Sequence, residues 1–393
     1  MPSETQREIG AEELHRYRDL ARRFAKRSLE PLFAADYPDG NLAFLPQAVE
    51  IAFSTGIVAS PEPSMPGNVY GIWGSATDEL GMTPSLLLLS TIAETCAGIA
   101  FCFHAQGLAS NLALPANREL ARSPARVALC LQEGFSPPYL GTINEPDHEA
   151  PVRISTSATV DGQGYIIDGK KSFVYSLDGV EAYVVFARVG EKWGAFLVPA
   201  NDSGVVRSDV GPRTGLRACR LENVEFNRVR VNRAARIDEG GARELVLRAL
   251  GLNWAGMSAI AVGIARGAVS AARRYAAERY QGGSRIENHA AVKLLIGGAQ
   301  AAAEAAELSV FSLTACDFTK VRTLVKPAAT KMTVLDLCAR AVTDSLQAFG
   351  GYGYMEDFGM EKRLRDITVL KSAAGSPRYL RQLIYDIERD DVE

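Results

Sequence analysis

The sequence lacks the features that mark several classes of protein. Its net charge is −3 and its pI is about 6.0, so it has neither the basic excess of a nucleic-acid-binding protein nor a basic face for anionic membranes. Hydrophobic residues make up 47% of the chain and charged residues 23%, which excludes an intrinsically disordered protein. No pair of cysteines has the C-x-x-C spacing of a zinc or redox site. We therefore expect no nucleic-acid partner and no metal.

The six cysteines are scattered, and most lie in apolar segments. This usage predicts free thiols in a reducing compartment rather than disulfides. The first residues, MPSETQREIG, contain no apolar run of the kind found in signal peptides. We also find no uninterrupted apolar stretch long enough to span a bilayer. The sequence thus predicts a cytoplasmic protein without a membrane partner.

The apolar periodicity changes twice along the 393 residues, a length that indicates two or three packed units. Helical spacing dominates the first third and includes one long helix predicted at 84–114. Short alternating strands with glycine turns follow, typical of an antiparallel barrel or sandwich. Long helices rich in Ala and Gly return after about residue 243. We predict a helical domain at 1–134, a β-domain at 135–236 and a helical bundle at 237–393.

Four stretches of the sequence carry a family resemblance. TIAETCAGIAFCFHAQGL at 91–108 resembles a helix that ends near an acyl pocket, and Asn144-Glu145-Pro146 resembles the start of a flavin loop. Gly215-Leu216-Arg217, with the strand that follows, resembles the close of a β-domain. YAAER at 275–279 and QAFGGYGY at 347–354 resemble segments that hold a dinucleotide across a dimer. In this order they resemble the acyl-CoA dehydrogenase superfamily.

The resemblance implies an acyl-CoA dehydrogenase-like fold, with an N-terminal all-α domain, a middle β-barrel or sandwich domain and a C-terminal four-helix bundle. It implies FAD as cofactor and an acyl thioester of CoA or of a carrier protein as substrate. It also implies an electron-transfer partner or a flavin reductase, and assembly as a homotetramer or homodimer. The residues that it assigns to the cofactor are Asn144, Phe173, Tyr175, Arg279, Gln347, Gly350 and Gly351.

The catalytic base is where this sequence departs from the family. Acyl-CoA dehydrogenation removes a weakly acidic α-proton, which requires a positioned carboxylate. The resemblance places that carboxylate 27 residues after Gln347, where this chain has Ala374. The alternative family position is occupied by Asn253, whose amide has no useful basicity. His104, at an acyl-pocket position, is a weak candidate for the base.

Three hypotheses remain open at this point. The first is a FAD-dependent acyl-thioester dehydrogenase with an unusual base. The second is a flavoenzyme of the same fold whose reaction needs no such base, such as a monooxygenase or an enzyme that eliminates a sulfinate. The third is a non-catalytic subunit of a heteromeric dehydrogenase.

Overall fold

The computed structural model describes residues 4–30, 45–58, 71–74, 81–113, 126–134, 154–238, 242–314 and 316–389. The N-terminal part is helical. Helix α1 continues into one π-helical turn (Ala25–Leu29), and three further helices follow it in the chain. The bounds of the four helices are Glu4–Phe24 (α1), Leu45–Ser54 (α2), Thr83–Ala93 (α3) and Ala97–Ala113 (α4).

The prediction of a single long helix at 84–114 is wrong, because residues 94–96 are not helical and separate α3 from α4. The break frees the backbone oxygen of Glu94, which accepts a hydrogen bond of 2.8 Å from Arg363 Nη1. The Glu94 carboxylate lies 2.9 Å from Arg266 Nη2. Arg363 thus satisfies a backbone oxygen that the break leaves without a helical partner, and Arg266 pairs with the side chain of the same residue.

The middle part is one seven-stranded sheet with the order β1-β4-β2-β3-β7-β6, with β5 paired to β4. It is mixed rather than wholly antiparallel, because β1 and β2 both run parallel to β4. β1 precedes residue 134, so the sheet takes its first strand from the region that we assigned to the N-terminal domain. The strands are Val127–Cys130 (β1), Ser157–Asp161 (β2), Gly164–Ser176 (β3), Ala182–Val189 (β4), Lys192–Pro199 (β5), Val205–Asp209 (β6) and Arg220–Asn232 (β7).

The C-terminal part is a bundle around one long helix, α5, which packs against helices from both ends of the chain. Glycines allow these close approaches. A Cβ at Gly263 would lie 2.1 Å from the backbone oxygen of Ser90, so only a hydrogen fits there. The C-terminal elements are Ala242–Glu278 (α5), Tyr280–Gln281 (β8), Ser284–Arg285 (β9), Ala290–Phe311 (α6), Val325–Ala348 (α7), Met360–Ser372 (α8) and Pro377–Arg389 (α9).

Of the helices in the described ranges, α5 and α6 are long and apolar enough to cross a membrane, contrary to the expectation from sequence. In α5, 83% of the apolar window is buried in the bundle, which is the pattern of a core helix. In α6 only 28% of that window is buried, and Leu294 and Leu308 are 76% and 75% exposed. Length and apolar composition alone are weak evidence that a helix spans a membrane.

Candidate functional site

A cavity lies where α4, α5, the sheet and the turn after α8 meet. It brings together five of the residues that the sequence singled out: Ala374, Asn253, His104, Phe173 and Tyr175. Most of the other wall residues are apolar. The apolar ones are Phe101, Ala105, Leu108, Leu129, Leu131, Met257 and Ala373, and the polar ones are Gln132 and Ser172.

A bulge in β3 forms the sheet side of the cavity. The β3–β7 register shifts between Lys171 and Val174, and Phe173 has a left-handed φ of 55°. The extra residue lets Ser172 and Phe173 both line the cavity. Ser172 N donates to Gln132 O over 2.9 Å, which ties the bulge to the chain just after β1.

A buried ion pair supports the bulge from behind. Lys171 Nζ lies 2.7 Å from Glu133 Oε1, with the two side chains 0% and 10% exposed. Burial alone would raise the pKa of Glu133. The Lys171 ammonium and hydrogen bonds from Ser155 and Thr156 more than offset that effect and lower the pKa to about 2. The carboxylate is therefore charged at any pH at which the protein functions, but it does not line the cavity.

Tyr175, which the resemblance assigns to the cofactor, lines the cavity. Its ring lies 4.6 Å from that of Phe101 in an edge-on contact. Burial raises the pKa of its phenol well above the ordinary value. The hydroxyl therefore stays protonated and can donate or accept a hydrogen bond, but it cannot act as a base near neutral pH.

The turn at 373–375 forms the opposite wall, and three hydrogen bonds fix its backbone. Lys331 Nζ donates to Ala373 O over 2.6 Å and to Gly375 O over 2.7 Å. Trp254 Nε1 donates to Ala374 O over 2.7 Å. Ala374 has a left-handed φ of 50°, which is unfavourable for a residue with a Cβ. Burial lowers the pKa of Lys331 to about 7, and two carbonyl dipoles face its Nζ.

His104 has a protein partner at both ring nitrogens. Trp73 Nε1 lies 3.0 Å from Nδ1, and Asn253 Oδ1 lies 2.8 Å from Nε2. An indole N–H only donates, so Nδ1 accepts and Nε2 carries the ring proton. Burial lowers the pKa of His104 to about 4. The one lone pair that could accept a substrate proton is thus occupied by Trp73, which argues against His104 as the base.

The residues expected at the dinucleotide end lie together elsewhere, on the surface at the end of α7. The Arg279 guanidinium lies 5.3 Å from the centre of the Tyr352 ring, and Gly350 has a left-handed φ of 58°. Gln347, Gly350 and Gly351 are exposed. None of these four predicted residues lines the cavity. An added Cβ at either glycine would meet nothing within 4 Å, so this chain leaves the turn open to an approaching group.

Several residues that line the cavity were not predicted from the sequence, and one predicted residue lies outside the described ranges. Asn144 lies outside the residues that the structure describes. Gln132 was missed because β1, which precedes it, was assigned to the helical domain, and Ser172 was missed because the bulge in β3 could not be predicted. The apolar run Val127–Cys130 was the signal that could have revealed that strand.

The residues that line the cavity suit an isoalloxazine ring. Phe173 and Tyr175 supply aromatic side chains, and Ser172, Tyr175 and Gln132 supply polar groups. Such groups can pack on a planar heterocycle and hydrogen-bond its polar edge. The exposed turn after α7, with the Arg279 cation beside it, fits the charge of a pyrophosphate. The described residues therefore fit FAD.

Comparisons with known proteins agree with this architecture. The family described as "Acyl-CoA dehydrogenase, C-terminal domain" matches residues 242–387. The short-chain-specific acyl-CoA dehydrogenase of Clostridium acetobutylicum is 25% identical over 378 residues, which cover 93% of this chain and 95% of that enzyme. The caffeyl-CoA reductase-Etf complex subunit CarC of Acetobacterium woodii is 26% identical over 239 residues. That match covers 59% of this chain and 62% of CarC.

The butyryl-CoA dehydrogenase structure from Megasphaera elsdenii superposes with a TM-score of 0.80 at 20% identity, over 96% of this chain and 98% of that one. At that identity the likeness establishes the shared fold. Residues 242–387 belong to the acyl-CoA dehydrogenase C-terminal domain family, and the shared fold and the relatives aligned over nearly their whole length support membership of the whole chain in the acyl-CoA dehydrogenase superfamily.

Proposed function

We propose that the protein is a FAD-dependent oxidoreductase that binds an acyl thioester in the cavity between α4, α5 and the β3 bulge. The observation that carries this proposal is the cavity itself, which combines an apolar helical wall for an acyl chain with a polar aromatic wall for a flavin ring. FAD supplies the two-electron acceptor that the protein side chains lack. Phe173, Tyr175 and Ser172 would face the flavin ring.

The dinucleotide end of a FAD bound in a neighbouring subunit's cavity would be held by Arg279 and the turn after α7. The guanidinium would pair with the pyrophosphate, and the exposed Gln347, Gly350 and Gly351 would receive the FAD of a neighbouring subunit. The apolar exposed face of α6 supports self-association, because large exposed apolar side chains mark interaction surfaces. Light scattering should show an oligomer for the wild type and a smaller species for the Leu294→Asp, Leu308→Asp double variant.

The chemistry of the cavity favours a second function in which no α-proton is removed by a carboxylate. No Asp or Glu is among the described residues that line the cavity. Tyr175 is protonated, and both nitrogens of His104 are engaged. Monooxygenation and sulfinate elimination need no α-carboxylate, so either reaction is compatible with these walls. A non-catalytic subunit is a third possibility that the exposed turn after α7 allows.

Electron transfer requires a further partner in either reaction. CarC is named as a subunit of a complex with Etf, and we extend that kind of partner to this protein as part of the proposal. The partner would be an electron-transfer flavoprotein for a dehydrogenase, or a flavin reductase for an oxygenase.

The first experiment is the visible absorption spectrum of the purified protein. Stoichiometric FAD is expected, and its absence would remove the catalytic proposals in favour of a non-catalytic subunit. Anaerobic titration with a panel of acyl-CoAs then distinguishes the reactions, because only a dehydrogenase bleaches the flavin without added reductant. A flavin that acyl-CoAs perturb spectrally without reducing it would support the base-independent function.

Ala374→Glu tests whether the missing carboxylate is what blocks dehydrogenation. Because Ala374 lines the cavity, a glutamate there should create or raise acyl-CoA-dependent flavin reduction. Ala374→Gln is the matched control, since it has the same shape without the basicity. Equal, unchanged rates in both variants, with FAD bound, would show that the cavity does not present the α-carbon to residue 374.

A further inference from the structure

The Trp73–His104–Asn253 chain of hydrogen bonds has a fixed direction. Trp73 Nε1–H can only donate, and it reaches His104 Nδ1 over 3.0 Å. A neutral imidazole that accepts at Nδ1 donates from Nε2, and Asn253 Oδ1 lies 2.8 Å from that nitrogen. The Asn253 amide oxygen is therefore the acceptor of this chain. Its Nδ2–H₂ group is left facing elsewhere.

The structure holds each member of this chain in place. Trp73 is fully buried with a left-handed φ of 68°, and two further hydrogen bonds fix its backbone. The backbone nitrogen of Trp73 donates to Ser85 Oγ over 2.7 Å, and its backbone oxygen accepts from Asn111 Nδ2 over 2.8 Å. Gly256 makes room for the imidazole, since a Cβ there would lie 2.4 Å from His104 Nδ1. The chain is thus a built feature rather than a chance contact.

Asn253 is the member of the chain with a donor, its Nδ2–H₂ group, that the chain itself does not use. It is partly exposed and lines the cavity together with Ala374. Among the described residues, no hydrogen-bond acceptor is found for Asn253 Nδ2. A donor that ligand binding desolvates without a partner weakens that binding, so this position penalises a plain alkyl group and rewards an oxygen.

We propose that Asn253 is a specificity-determining hydrogen-bond donor, oriented by Trp73 and His104, that recognises an oxygen acceptor on the acyl group of the substrate. This inference rests on the proposed function, because it takes the cavity as the acyl site. The substrate class is an acyl thioester with a hydroxyl, keto or carboxylate oxygen beyond the thioester. His104 is the positioning residue, and it acts by fixing which end of the Asn253 amide faces the cavity.

The test is the binding selectivity of the FAD-loaded enzyme. Dissociation constants are measured by calorimetry for butyryl-CoA and for its oxygenated counterparts 3-hydroxybutyryl-CoA, 3-oxobutyryl-CoA and succinyl-CoA. In the wild type, at least one oxygenated ligand should bind roughly ten- to a hundredfold more tightly than butyryl-CoA. No preference for any oxygenated ligand would overturn the proposal.

Variants separate a donor from a merely structural residue. Asn253→Leu, of similar size, should abolish the preference, and Asn253→Asp should reverse it for succinyl-CoA, because two carboxylates repel. His104→Phe should reduce the preference, since Asn253 is then free to rotate. Asn288→Leu, at an exposed position, is the matched control and should keep the preference for oxygenated ligands. If Asn253→Leu lost affinity equally for all four ligands, the proposal would be contradicted, because Asn253 would then contact the thioester that all of them share.

A ligand-free measurement keeps the two proposals distinguishable. The chain has four histidines, so ¹⁵N-histidine spectra are simple, and the His104→Phe spectrum assigns the signal of residue 104. The ring proton of His104 should be on Nε2. If no acyl-CoA binds, the proposed function fails and the substrate class fails with it, while a proton on Nε2 still supports Asn253 as a donor. A proton on Nδ1 would refute the orientation whatever the ligand results.

Discussion

The buried pair of Glu133 and Lys171 gives the sharpest stability prediction. Glu133 accepts hydrogen bonds from Lys171 Nζ at 2.7 Å, from Ser155 N and Oγ at 2.7 Å each, and from Thr156 N at 3.1 Å. The pair lies behind the β3 bulge, with Lys171 fully buried. Glu133→Gln removes the charge but keeps the shape, so it isolates the electrostatic part of these contacts.

The magnitude follows from the pKa of Glu133, which is about 2 in the folded protein against an ordinary 4.5. This difference corresponds to about 3 kcal/mol of stability at neutral pH. Because the folded pKa is the lower one, the contribution is fully present above pH 4.5 and is lost as the pH falls through about 2. It should already have decreased to about 1.4 kcal/mol at pH 3.

At pH 7 we expect Glu133→Gln to lose about 3–5 kcal/mol of unfolding free energy, because Lys171 is left buried without its countercharge. Burial also lowers the pKa of Lys171, so part of the gain at Glu133 is offset within the pair. The double variant Glu133→Leu, Lys171→Met should therefore recover much of the loss.

Urea unfolding followed by tryptophan fluorescence, at pH 7 and at pH 3, measures these free energies. The difference between wild type and Glu133→Gln should shrink by about 2 kcal/mol at the lower pH. A difference that is the same at both pH values would refute the assignment of this stability to the Glu133 charge. A double variant less stable than Glu133→Gln alone would show that packing, not charge, dominates here.

Three further substitutions test the cavity walls. Ala374→Gly should raise the unfolding free energy by about 0.5–1 kcal/mol, because glycine tolerates the φ of 50°, and a lower melting temperature would contradict that backbone conformation. Gly256→Ala should destabilise by about 1–3 kcal/mol, since its Cβ would lie 2.4 Å from His104; an unchanged urea midpoint would mean that the imidazole is not seated there. Lys331→Met should cost about 1–3 kcal/mol and speed amide exchange in the turn at 373–375, and protection equal to wild type would show that other contacts hold this turn.

The order of helices, strands and helices could be predicted from the sequence because apolar periodicity is local. The mixed character of the sheet could not, since the parallel pairing of β1 with β4 joins residues 127–130 to 182–185. The break at residues 94–96 was also missed. Arg363 and Arg266, which are distant in sequence, contact the backbone oxygen and the carboxylate of Glu94 at this break.

Part of the candidate site could be predicted because short motifs place residues by register. Counting from the glycine turn after α7 identified Ala374, and the structure places it in the same cavity as Asn253 and His104. Their roles stay predictions. Trp73 and Lys331 could not be found, because their effect depends on hydrogen bonds to residues 31 and 42–44 positions away.

The tethered turn at Ala374 bears on how the protein could change. Lys331 and Trp254 hold this backbone through its carbonyls, so its conformation does not depend on what side chain residue 374 carries. A single base change converts an alanine codon ending in A or G into a glutamate codon. The chain is therefore one point mutation away from a carboxylate in its cavity, on a backbone already fixed to carry it. A change of the side chain at this position would thus leave the scaffold around it the same.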